Sequence, residues 1–150
     1  MAIRQFFRSL FSARRVGGRT DDDSLHDDAE AEKRNQIRYT RALVLQKVKT
    51  TFSNESTSCI LEILDRYGVE SYERERERVQ IAILKLSEGE LEKLAAYVKV
   101  AKEDYRDALA YAEYPQELQS ETWKMNAQTV EEIRQKDKTQ YLDWLNGNDL

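Results

Sequence analysis

Apolar residues along this chain recur mostly at intervals of three and four, the spacing of one helix face. The longest series is Leu91, Leu94, Ala95, Val98, Ala101, Tyr105, Ala108, Leu109 and Ala112, a stripe of about six turns that predicts one long helix as the backbone of the fold. Its expected start is LSEGEL, with Ser87 as N-cap, Glu90 as capping-box partner and Leu86 and Leu91 as the hydrophobic staple. Tyr114-Pro115 ends it, because proline has no amide hydrogen and restricts its predecessor.

Shorter series flank this one. Ile37, Val44, Leu45, Val48 and Phe52 predict a first domain helix from about residue 33. After Ser58, the residues Ile60, Ile63, Leu64 and Tyr67 share a face, and Gly68 supplies a left-handed stop. In YERERERVQIAILKL, a strand would put all glutamates on one face and all arginines on the other, so a helix is expected. Its first turns should be polar and protruding, with Val79, Ile83 and Leu86 forming the apolar stripe. Residues 115–126 read as a connection containing Trp123. Val130, Ile133, Tyr141, Trp144 and Leu145 predict a last helix from about Gln128, closed by Asn146-Gly147.

The amino-terminal segment has a pattern of its own. On a helix, Ile3, Phe6, Phe7, Leu10 and Phe11 share an arc of about 140°, while Arg4, Arg8 and Arg15 flank it, with Arg14 nearby in the same basic run. This is the layout of an amphipathic helix lying in a membrane interface. Anionic lipid contributes on the order of 1 kcal/mol per nearby arginine, and each fully buried large apolar side chain roughly 1.5–3 kcal/mol. Ordering costs roughly 2–5 kcal/mol, which leaves a modest, reversible attraction. The same pattern fits docking in a partner protein's groove, or an organelle transit peptide if the source is eukaryotic; the remaining alternative is a disordered tail, against which large aromatics at helical spacing argue.

Composition sharpens this picture in three ways. The 150 residues include five glycines and one proline, too few for the turns of an all-β fold. A lone cysteine, Cys59, and a lone histidine, His26, exclude a disulfide framework and argue against zinc fingers and Cys–His catalysis. The net charge of −4 conceals two opposed blocks: residues 1–19 carry arginines and no acid, and residues 20–32 carry acids and no base. The acidic block self-repels and has little apolar surface, so residues 17–32 read as a flexible linker. It would also repel phosphates, which argues against nucleic acid as a partner. No apolar run reaches the roughly 20 residues of a membrane span.

Candidate chemistry is sparse. No glycine lies in a G-x-G-x-x-G or G-x-x-x-x-G-K-[ST] loop, and there is no G-x-S-x-G elbow. Glu103, Asp104 and Asp107 are the densest carboxylate group on the long helix, a pattern that a carboxylate metal site or small helical enzyme would use. They lie opposite the leucine stripe and lack a companion histidine, so a solvated face is the preferred reading. Tyr97, Val100 and Tyr111, with Asp104 among them, form a second seam suited to a protein interface. Packing on two sides of a central helix accounts for that seam equally simply and is preferred.

The expectation is therefore an all-α small helical bundle of four to five helices with a flexible N-terminal arm: residues 1–16 amphipathic, 17–32 an acidic linker, 33–150 the bundle. The expected function is a non-enzymatic interaction or scaffold protein, with no cofactor. It docks through the arm on a protein partner or an anionic membrane surface, in the cytoplasm or at its membrane periphery.

Overall fold

Seven α-helices and one 3-10 turn make up the described part of the chain, and no strand occurs among the described residues. The computed structural model describes residues 37–147. In order the helices are α1 Arg41–Thr51, α2 Thr57–Leu64, α3 Arg76–Ser87, α4 Leu91–Glu103, α5 Tyr105–Glu113, α6 Pro115–Gln119 and α7 Ala127–Asn146, with the 3-10 turn at Thr122–Lys124 between the last two. Residues 38–147 belong to one compact unit. The amphipathic residues 1–16, the acidic residues 17–32 and His26 lie outside the described residues.

The all-helical expectation holds, but the helix count does not, because the predicted six-turn rod is two helices and the expected connection after Tyr114 contains the short helix α6. At Asp104 the backbone turns extended, with φ −154° and ψ 106°. The Asp104 carboxylate accepts the Arg106 backbone N–H at 3.1 Å and so caps α5. The apolar stripe survives the break. Leu94, Val98 and Ala101 of α4 and Ala108, Leu109 and Ala112 of α5 are all buried, and the two helices pack on α3 and on each other.

The centre of the fold is α3, and not the segment from Leu91 to Ala112. Val79, Gln80, Ile81, Ala82, Ile83 and Leu84 are consecutive and all fully buried. A helix hidden on every side requires neighbours around it, and α1, α4 and α5 supply them. The expected protruding first turns of this helix are not helical: α3 begins only at Arg76, after a left-handed Glu75 at φ 51°. Of the preceding Glu73, Arg74 and Glu75, only Glu73 turns inward and is buried, while the other two stay exposed.

Two other boundaries move for physical reasons. Ser87 does not cap α4. It is the buried last residue of α3, and its hydroxyl donates to the Leu84 carbonyl at 2.6 Å. Glu88 and Gly89 then both adopt positive φ, and the chain re-enters helix at Leu91 with Glu90 as the N-cap residue and no side-chain cap. The first helix starts at Arg41, where Thr40 accepts the Leu43 N–H at 3.2 Å, and residues 37–40 are not helical. Downstream, Pro115 occupies the first position of α6, where its missing N–H costs nothing. Asn126 caps α7 and Gly147 ends it in the left-handed region, close to the expected limits. The buried Lys47 of α1 donates to the Trp144 carbonyl and lies over the Trp144 ring at 4.4 Å. This contact ties the first described helix to the last.

Candidate functional site

The loop between α2 and α3 is built around one acid. Glu73 Oε2 accepts the backbone N–H groups of Gly68, Val69 and Glu70 at 2.8, 2.9 and 3.1 Å. Its other oxygen pairs with Lys102 of α4 at 2.6 Å, and Lys102 also donates to the Arg66 carbonyl at 2.8 Å. The Glu73 side chain is 1 % exposed. Burial by itself raises a carboxyl pKa, yet Lys102 and the three N–H groups outweigh it and bring Glu73 down from 4.5 to about 2. Tyr67, fully buried, donates to the Arg74 carbonyl at 2.7 Å and closes the loop from beneath. Val69 and Tyr72 remain 70 % and 65 % exposed on its outer surface.

Where this loop meets the turn between α4 and α5 there is a cleft of about 250 Å³. Tyr67, Tyr72, Glu73, Lys102, Asp104 and Arg106 are among its walls. Its cations are held by its own acids: Lys102 by Glu73, and Arg106 by Asp104, whose two oxygens take Nε at 2.9 Å and Nη2 at 2.7 Å. The Asp104 bond is the main cause of the raised Arg106 pKa. The cleft therefore offers a ligand mutually compensated charges in place of a concentrated one.

The carboxylates singled out in the sequence have separate tasks. Asp104 is a helix cap and ion-pair partner, Glu103 is exposed and Asp107 is half-buried in the first turn of α5. Among the described residues no group of three or more His, Cys, Asp or Glu side chains is placed to hold a metal ion. Tyr97, Val100 and Tyr111 are each half-buried. Burial, then the nearby Asp107 and Tyr97, push the Tyr111 phenol up. The bend at Asp104 thus leaves Tyr97 and Tyr111 electrostatic neighbours on two helices. Cys59 is exposed in the first turn of α2.

Three polar clusters escaped the sequence reading. Arg78 of α3 makes a two-bond pair with the buried Glu113 of α5, at 2.8 and 2.7 Å, and also binds Glu75 at 2.7 Å. The Glu113 bond is the main cause of the raised Arg78 pKa, against the effect of burial. Gln80, fully buried, donates to the Leu64 and Tyr67 carbonyls and to Asp65, and accepts from Arg41. The Arg41 guanidinium holds the Asp65 carboxyl below the usual range, against partial burial and with help from Gln80. Asp137 of α7, fully buried, accepts the Gln116 and Glu117 N–H groups at 3.0 and 2.9 Å and so caps α6 from a neighbouring helix. The only sequence signal for these was a polar residue at an apolar-face position, as Gln80 is.

Comparison with protein-family models, with curated proteins and with solved structures finds no match to this chain.

Proposed function

We propose that the chain is a non-enzymatic helical interaction protein that docks reversibly, through residues 1–16, on an anionic membrane surface or a larger protein assembly. The observation that carries this reading is the segregation of Ile3, Phe6, Phe7, Leu10 and Phe11 from Arg4, Arg8, Arg14 and Arg15 within an acid-free stretch. Among the described residues no helix is long and apolar enough to cross a membrane.

Flotation with vesicles containing phosphatidylserine tests the lipid arm of the proposal, comparing the full chain with a chain beginning at Lys33. The full chain is expected to float and the shortened one to stay behind. Pull-down with and without residues 1–16 tests the protein arm. Equal recovery of both chains in both assays refutes the proposal. Loss of flotation alone, with arm-dependent pull-down retained, assigns the docking to a protein groove.

A further inference from the structure

We draw no further inference here: the strongest candidate, the cleft between the Glu73-centred loop and the α4–α5 turn with exposed Val69 and Tyr72 beside it, pairs Lys102 and Arg106 with its own carboxylates, and nothing in the structure shows what covers or fills it.

Discussion

A buried carboxylate with four donors around it behaves differently from the solvated glutamate that its sequence neighbours suggest. Glu73 has a folded pKa of about 2 against an ordinary 4.5. Because the folded value is the lower one, its contribution to stability is fully present above about pH 4.5. That contribution fades as the pH falls and is gone below about pH 2. Glu73→Gln should cost about 2–4 kcal/mol at neutral pH and flatten the loss of stability across that interval. Urea unfolding at several pH values checks both effects, and an unchanged slope in the variant would refute the assigned shift. Asp137→Ala strands two amide hydrogens at the start of α6 and should cost about 2–3 kcal/mol, while Asp137→Asn keeps one acceptor and costs less. Hydrogen exchange at the Gln116 and Glu117 amides reports the same loss locally. The Tyr141 hydroxyl shows the opposite case. It is buried and has no complete hydrogen bond among the described residues, although the Tyr39 phenol is within electrostatic reach. Tyr141→Phe should therefore change stability by less than about 1 kcal/mol in thermal unfolding; a loss above about 2 kcal/mol would reveal a strong partner.

At the scale of elements, apolar periodicity located helical sequence well and placed helix ends poorly. The stripe from Leu91 to Ala112 continues through the Asp104 turn because a stripe records which side faces the core, and a bend can preserve that side. The break did carry a signal: Asp104 with Asp107 three residues later is an N-cap followed by an acid in the first turn. The turn after α3 is sharper than its composition implies. Gly89 has φ +78°, and a Cβ there would come within 2.8 Å of the Thr51 carbonyl oxygen at the end of α1. Gly89→Ala combines a left-handed backbone with a backbone clash and should destabilise by about 1–3 kcal/mol, measured by chemical denaturation. Wild-type stability in that variant would mean that α1 and the α3–α4 turn move apart freely. The central role of α3 was hidden for a related reason. A run such as VQIAIL has no polar side, and periodicity cannot say whether it is a helix buried all round or a strand.

For the molecule as a whole, the charge blocks near the start set the test of function. If docking uses anionic lipid and several arginines, vesicle binding of the full chain should weaken severalfold between low and physiological salt. Replacing Phe6, Phe7, Leu10 and Phe11 with serine should abolish it while leaving the unfolding transition of the body unchanged. Flotation insensitive to both changes would remove the amphipathic segment from any role in attachment. What the amino-acid sequence determined by itself was the helical class, the approximate positions of most helices, and the separation of charge along the first 32 residues. Those properties are local, set by neighbours within a few turns. Only the tertiary structure decided that α3 is the hub, that Glu73, Gln80, Glu113 and Asp137 are buried among partners, and that the long stripe folds at Asp104. A polar side chain becomes an interior one when donors from distant helices converge on it, as Lys102 does on Glu73 and the α6 amides do on Asp137. Spacing along the chain holds no record of that convergence.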